Sequence, residues 1–192
     1  MPAAARPTGL SLVVALAAIA VAQLAPAQTT RGSSSKERRY FSARHGVGIE
    51  APSGWTLSQH TGYPSVLVAL VHPGGSRISL AVDKTAASDA AELVKQSKPG
   101  LAAQGLTVER AYAGPHAGTQ IEARSDSRNQ ALRQLYIVRD IDGGPNGKQA
   151  IVLTLAAPFD QLAGAIGPYE WVLGHLALET PLRPDNKPDG GR

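Results

Sequence analysis

Cysteine is missing from all 192 residues of the chain. Its absence excludes disulfide bonds, a cysteine nucleophile and thiolate ligands for a metal. It also excludes a membrane anchor made by lipidation of a cysteine. The folded part must therefore be held together by its hydrophobic core, which a single domain of about 150 residues is large enough to form.

Aromatic residues make up only 5% of the chain, and 19 basic side chains stand against 15 acidic ones, a net charge of +4. Nucleic-acid binders usually cluster lysine and arginine on one surface and interleave aromatic residues for base stacking. The one dense basic run, "KERR" at 36–39, adjoins a serine-rich stretch and is typical of a solvated linker. We therefore expect no nucleic-acid partner and at most a weak association with a membrane surface.

Only one apolar run is longer than ten residues, "LSLVVALAAIAVA" at 10–22, with Arg6 before it. Ala25 and Ala27 follow it at the small-residue positions that signal peptidase requires. The run is shorter than the roughly 20 apolar residues that cross a bilayer. We therefore predict a signal peptide over residues 1–27, cleaved between Ala27 and Gln28.

The expected location is therefore outside the cytoplasm, either periplasmic or extracellular. The alternative is an uncleaved segment in which residues 10–24 anchor the protein in the inner membrane. That arrangement places the basic residues after the segment on the side opposite Arg6, against the positive-inside preference.

The mature chain divides into three parts. Residues 28–39 are small, polar and charged, which favours a flexible linker. Residues 181–192 contain three prolines, two glycines and a single apolar side chain, which favours a disordered tail. One domain is expected between them, over residues 40–180.

The domain alternates short apolar segments with turns, which predicts a mainly antiparallel sheet. "VLVALV" at 66–71 and "AIVLTLAA" at 150–157 are apolar at nearly every position, as in strands covered on both faces, whereas "RISLAV" at 77–82 alternates like a half-exposed strand. Helical patterns begin near Ser88 and after Pro158, the first interrupted at Pro99–Gly100 and the second broken at Gly167–Pro168. The expected fold class is α+β, an α/β/α sandwich.

The order of these elements resembles the PsbP-like domain family. The resemblance extends over nearly all of the folded part. Its first motif is a strand followed by Pro-x-Gly-Trp, with Gly46, Val47, Ile49, Pro52, Gly54 and Trp55. The others are Gly118 before a later strand and a C-terminal helix at Trp171–Leu178. It implies a binding or assembly subunit with no catalytic residues. Trp55 is expected to pack in the core, with Pro52 and Gly54 shaping the turn before it.

Two motifs suggest catalysis. The segment "ARHG" at 43–46 contains the tripeptide Arg-His-Gly of the phosphatases in which the histidine is phosphorylated. In those enzymes the tripeptide follows a buried strand and opens a helix, whereas here the residues after His45 are typical of a strand. "AVDKT" at 81–85 resembles the active-site motif of enzymes that form a phosphorylated aspartate. Those active sites lie where the ends of parallel strands converge. We interpret His45 as a bystander and Asp83 as the end of a strand.

The remaining candidates for chemistry are weaker. "DGGPNGKQ" around Lys148 lacks the first glycine and the Ser/Thr of a phosphate-binding loop. Its glycines are typical of a hairpin turn before the last strand. The five histidines have no metal-ligand spacing. We therefore expect no catalytic residue, no metal site and no cofactor.

The function favoured by the sequence is that of a non-enzymatic envelope domain with an accessory or assembly role, which binds an unidentified envelope protein or small ligand at unidentified residues. The alternative is a secreted hydrolase or phosphatase that uses His45 or Asp83.

Export provides the first test. Protein recovered from the cell envelope should begin at Gln28, because the small residues Ala25 and Ala27 define the cleavage site. Intact-mass spectrometry measures this directly, and a mass that still includes residues 1–27 would contradict the prediction.

Overall fold

The computed structural model describes residues 38–59, 63–141 and 147–181. The signal peptide, the Ala27–Gln28 cleavage site, the anchor alternative at 10–24 and nearly all of the linker and the tail lie outside these ranges, as does most of the glycine-rich turn before Lys148. Neither helix within the described ranges has the length and apolar character needed to cross a membrane.

The described residues form ten strands, two α-helices and one short 3-10 turn. In chain order these are β1 (Arg39–Ser42), β2 (Val47–Glu50), β3 (Thr56–Ser58), β4 (Val66–Val71), β5 (Arg77–Lys84), α1 (Ala90–Ala103), β6 (Thr107–Ala113), β7 (Thr119–Ser125), the 3-10 turn (Asp126–Arg128), β8 (Gln130–Asp140), β9 (Lys148–Pro158), α2 (Phe159–Gly174) and β10 (Ala177–Leu178).

Seven of the strands form one antiparallel sheet in the order β3-β4-β5-β9-β8-β7-β6, and a smaller sheet has the order β1-β2-β10. The long hairpin β8–β9 pairs over eleven positions, from Gln130 opposite Pro158 to Asp140 opposite Lys148. Short connections join sequence neighbours, as antiparallel pairing allows. The expected α+β class with a mostly antiparallel sheet is confirmed.

The large sheet is covered on both faces, and each cover contains a helix. We call its two surfaces the α1 face and the α2 face. On the α1 face, Leu93 and Leu101 of α1 belong to the core cluster that includes Tyr136 and Val152 of the sheet. On the α2 face, α2 and the small sheet contribute to a second cluster through residues such as Tyr169 and Ile49. This three-layer arrangement buries β9 on both sides.

Both prolines that were expected to interrupt helices lie inside continuous helices, so those two predictions were wrong. Pro99 is within α1 and Pro168 is within α2. A proline leaves the carbonyl four residues earlier without its helical donor. Those residues are Lys95 and Gly164, both exposed, so water can replace the lost bond without breaking either helix.

Two further expectations need correction. β5 is buried on both faces rather than half-exposed, since Ser79 and Ala81 are 1% and 2% exposed on the side opposite Leu80. The last helix ends at Gly174 instead of continuing to Leu178, because residues 177–178 form β10 and pair with Gly48 and Val47 of β2.

The turn before Trp55 is formed by a backbone hydrogen bond and by a glycine with positive φ. The Trp55 amide donates to the Pro52 carbonyl at 3.2 Å, and Gly54 has φ +82°, a conformation that glycine adopts without strain. The Trp55 side chain belongs to the α2-face core, is 8% exposed, and lies 5.3 Å from the His72 ring between ring centroids. The expectation that Trp55 packs in the core is confirmed.

Replacing Trp55 with alanine should reduce the free energy of unfolding by about 3–5 kcal/mol, because a large buried side chain is lost and a cavity remains. Trp55→Phe should cost less because it keeps part of the ring contact. Urea denaturation of both variants measures the effect, and a Trp55→Ala variant as stable as the parent would show that the indole contributes no packing.

Candidate functional site

Arg139 joins the small sheet to the large one. Its Nε donates to Gln149 Oε1 at 2.8 Å, its Nη1 donates to the Glu179 carbonyl at 2.8 Å, and its Nη2 donates to the carbonyls of Gly46 (3.1 Å) and His45. Burial lowers the pKa of this guanidinium. The donors of Arg139 are thus used to fix the backbone of the β1–β2 turn and of the segment after β10.

His45 lies in the turn between β1 and β2, so no helix begins at it as the phosphatase motif requires. Because Gln149 gives its oxygen to Arg139, its amide nitrogen is directed at His45 Nδ1, 3.5 Å away, which assigns Nδ1 as an acceptor. Burial, followed by the charges of Arg44 and Arg139, lowers the pKa of His45. The ring is therefore neutral and part of the same junction.

Asp83 lies near the end of β5, which is an antiparallel strand in an antiparallel sheet. Its Oδ2 accepts a hydrogen bond from the Ser65 hydroxyl at 3.2 Å, and its Oδ1 accepts from the Lys84 amide at 2.8 Å. No hydrogen bond or ion pair joins Asp83 to His45 in the described part of the chain. The two candidates of the enzyme alternative therefore do not form one site.

The histidines have separate surroundings. His72 lies beside Trp55, and His175 stacks on Trp171 with ring centroids 3.9 Å apart. Among the described residues, no three His, Cys, Asp or Glu side chains are grouped so that they could hold a metal ion.

A depression lies on the α2 face, between the first turns of α2 and the strands β6–β8. We call it the α2 cleft. It has a volume of about 370 Å³, and its lining includes two acidic, two basic and several apolar side chains, among them Glu109, Glu122, Arg124, Arg133, Phe159 and Leu162. It forms because the N-terminal half of α2 leaves the outer strands of the sheet uncovered.

The floor of the α2 cleft carries a fixed charge pair. Glu122 and Arg133 are direct partners across β7 and β8, and Arg133 Nη2 donates to Glu122 Oε1 at 3.0 Å. The Tyr112 hydroxyl lies 3.2 Å from that same oxygen and 3.3 Å from Gln120 Oε1. Partial burial and the Glu122 charge raise the pKa of Tyr112, so the phenol stays protonated and remains a donor.

The rim of the α2 cleft combines charge with an aromatic ring. The Arg124 guanidinium lies 5.1 Å from the Phe159 ring centroid, a cation–π contact, and its Nε lies 3.5 Å from Glu109 Oε1. Asp126 also pairs with Arg124 and raises the pKa of that guanidinium. All these groups are donors or acceptors with fixed partners, and none is a nucleophile beside a base. The α2 cleft therefore presents hydrogen-bond donors and acceptors beside an aromatic ring.

Sequence reasoning did not identify the α2 cleft. On β7 its charged residues alternate with the buried Ile121 and Ala123, which face the other side, and such an alternation by itself indicates only a half-exposed strand. A charge pair across strands depends on register, and register depends on which strands pair.

The architecture is that of a PsbP-like domain, so the resemblance expected from the sequence is confirmed for the fold. The solution structure of cyanobacterial PsbP (CyanoP) from Synechocystis sp. PCC 6803 is similar with a TM-score of 0.53 and 16% identity, over 77% of this chain and 96% of that one. LpqN of Mycobacterium tuberculosis, described as involved in cell envelope biogenesis, is similar with a TM-score of 0.52 and 15% identity, over 69% and 83% of the two chains. No protein-family model and no curated protein matches the sequence.

The lowered pKa of His45 gives a pH prediction. The neutral ring contributes stability that is complete above the unfolded-state pKa of about 6.5 and is lost as the pH falls through the lower folded-state pKa. His45→Asn keeps a polar side chain that does not titrate, so it should lose less stability than the parent between pH 7.5 and pH 5. Urea denaturation at the two pH values, with an NMR titration of His45, measures both quantities. Equal losses for parent and variant would contradict this account.

Proposed function

We propose that this protein is an exported accessory domain of the cell envelope that binds a partner protein in the α2 cleft and catalyses no reaction itself. The observation that carries the proposal is the composition of the α2 cleft. Paired charges on the sheet lie beside the apolar side chains of Phe159 and Leu162, and the lining of the cleft contains no serine, threonine, cysteine or histidine. The envelope role named for LpqN and the predicted signal peptide support the location.

The charge pattern of the α2 cleft suits a protein segment with both polar and apolar side chains. The guanidinium groups of Arg124 and Arg133 offer donors, Glu109 and Glu122 offer acceptors, and Phe159 offers an aromatic surface. Aromatic residues and arginine are enriched where partner proteins dock. A protein partner fits this mixture better than a small anion or cation, because the charges of the α2 cleft already neutralise one another.

The edge strand β6 itself is poorly suited to accept a partner strand. Its pairing with β7 contains a bulge between Val108 and Arg110, and Glu109 and Arg110 are exposed. Bulges and charged residues on an edge strand discourage strand addition. The α2 cleft is therefore the preferred contact, with β6 as its outer wall.

The test uses a photo-reactive residue placed at Leu162 of the mature chain, with a second protein labelled at Phe41 as the matched control. Phe41 is 46% exposed on the small sheet. After illumination in native envelope, a partner should be captured from position 162 and not from position 41. With that partner purified, Phe159→Ala and Arg124→Ala should bind at least about tenfold more weakly, while Phe41→Ser should bind like the parent. If the cleft variants bind normally, or only Phe41→Ser fails, the partner does not use the α2 cleft.

The absence of catalysis has its own test. The purified mature chain should hydrolyse no phosphate ester or carboxylic ester in a broad screen. His45→Ala and Asp83→Asn should give the same background signal as the parent. A reproducible activity that either variant removes, with folding intact by circular dichroism, would support the enzyme alternative instead.

A further inference from the structure

The net positive charge of the chain after the predicted cleavage site comes from its N-terminal segment. Residues 28–50 contain five basic and two acidic side chains, whereas residues 51–192 contain thirteen of each. The described part of this segment has three basic residues, Arg38, Arg39 and Arg44, and all three are exposed. A local excess of charge attracts a surface of opposite charge. Strand β1 and the turn after it therefore form the basic part of the domain.

The charges of these arginines remain available. Among the described residues, no acidic side chain pairs with Arg38 or Arg44. Nε and Nη2 of Arg38 donate to the Ala51 carbonyl at 3.2 and 2.9 Å, and a carbonyl does not neutralise the guanidinium. Arg39 pairs with Glu50 at 2.6 Å, but its side chain is 82% exposed, and such surface pairs are weak.

An exposed aromatic ring lies in the same basic segment. Phe41 is 46% exposed, which makes it the most exposed large apolar side chain of the described residues. Its neighbour Tyr40 packs against the α2-face core, so the alternation of β1 places Phe41 and Arg39 together on the outer face of the small sheet. A ring left in water beside basic side chains indicates a surface of contact.

The outer face of the small sheet is flat beside Phe41. Phe41 is opposite Gly48 of β2, and Gly48 is opposite Ala177 of β10. A Cβ added to Gly48 would lie 2.7 Å from Cδ2 of Phe41, so the ring lies against the backbone of β2. Neither Gly48 nor Ala177 has a side chain longer than a methyl group. We call this region, with the arginines that adjoin it, the small-sheet surface: Arg38, Arg39, Phe41, Arg44, Gly48 and Ala177.

We propose that the small-sheet surface is a docking surface for a membrane that contains anionic lipids. Phe41 enters the headgroup region, where aromatic rings are favoured, and the three arginines are attracted by the lipid phosphates. The arginines need not touch the lipid, because charges act over about 8 Å at physiological salt. One ring and three charges provide weak and reversible binding, in agreement with the weak membrane association expected from the sequence.

A membrane fits the small-sheet surface better than an acidic protein does. Partner proteins insert anchoring side chains into pockets, whereas the row from Phe41 to Ala177 is flat and carries one large apolar side chain. A bilayer needs no pocket, since its interface accepts a protruding ring. The small-sheet surface shares no residue with the α2 cleft, so this proposal stands independently of the proposed function.

The test measures how much of the purified mature chain sediments with lipid vesicles that contain no protein. Vesicles of phosphatidylcholine and phosphatidylglycerol in equal parts provide the anionic surface, and vesicles of phosphatidylcholine alone provide the neutral one. The chain should bind the anionic vesicles, dissociate from them as sodium chloride is added, and leave the neutral vesicles almost free of protein.

One pair of variants tests the ring. Phe41→Ser should bind the anionic vesicles about fivefold more weakly, because the apolar contact of a half-exposed ring is lost. Val71→Ser is the matched control, since it removes another exposed apolar side chain, far from the small sheet on β4, and it should bind like the parent. Equal binding by Phe41→Ser and the parent would contradict the proposal.

A second pair tests the charges. Arg39→Gln combined with Arg44→Gln should bind at least about tenfold more weakly, since each basic residue near an anionic surface contributes about fivefold. Lys95→Gln combined with Lys98→Gln makes the same change of net charge on exposed positions of α1, on the other side of the large sheet. That control should bind like the parent. An equal loss in both double variants would mean a general effect of net charge and would overturn the docking surface.

The orientation can be measured because the chain has no cysteine, so a single introduced cysteine takes a polarity-sensitive fluorophore at one place. On anionic vesicles, the emission of a label at Ala43→Cys, two residues from Phe41, should shift to the blue. A label at Ala102→Cys, exposed near the end of α1, should show no shift. Equal shifts at both positions would contradict docking through the small sheet.

A last comparison separates lipid from protein as the partner. The mature chain should bind vesicles made from lipids extracted from native envelope as well as it binds the envelope itself. Binding to the envelope alone would mean that a protein occupies the small-sheet surface, and it would overturn the proposal. Phe159→Ala, in the α2 cleft, should bind vesicles like the parent, so the outcome for the α2 cleft and the outcome for the membrane are distinguishable.

Discussion

Burial of β9 on both faces is the constraint on which the rest of the structure depends. From Gln149 to Ala157 every residue of this strand is buried, and both of its neighbours, β5 and β8, are mostly buried too. A strand with apolar side chains on both sides needs a separate cover for each side. Helix α1 covers one, and α2 with the small sheet covers the other. The absence of cysteine makes this packing the source of stability in the folded domain.

The same constraint determines where the α2 cleft lies. The covers do not extend equally over the sheet, so α2 leaves the outer strands β6 and β7 open on its face, where Glu122 and Tyr112 lie. The charged side chains of the α2 cleft therefore lie on paired strands rather than on loops, and the register of the sheet holds them in place. Arg139 has a different role, since its hydrogen bonds attach the small sheet to this frame.

The sequence predicted the features that depend on local pattern. The class of fold, the antiparallel pairing and the burial of Trp55 followed from apolar runs, short turns and the "PSGW" turn. Predictions from the sequence failed where solvent or residues far apart in the chain determine the structure. Pro99 and Pro168 looked like helix breaks, but the carbonyls that they leave free are at exposed positions. β5 looked half-exposed because Arg77 and Ser79 alternate with apolar residues, although the layer on the α1 face covers Ser79. The α2 cleft and the Arg139 junction each combine residues from separate strands, and no local pattern records such pairings.

Native-state hydrogen exchange of the mature chain tests the central role of β9 most directly. The account predicts that the amides of β9 and of the neighbouring parts of β5 and β8 exchange most slowly, only through global unfolding, while the edge strands β3 and β6 exchange faster through local opening. Exchange from β9 that is as fast as exchange from β6 would contradict the claim that this doubly buried strand holds the domain together.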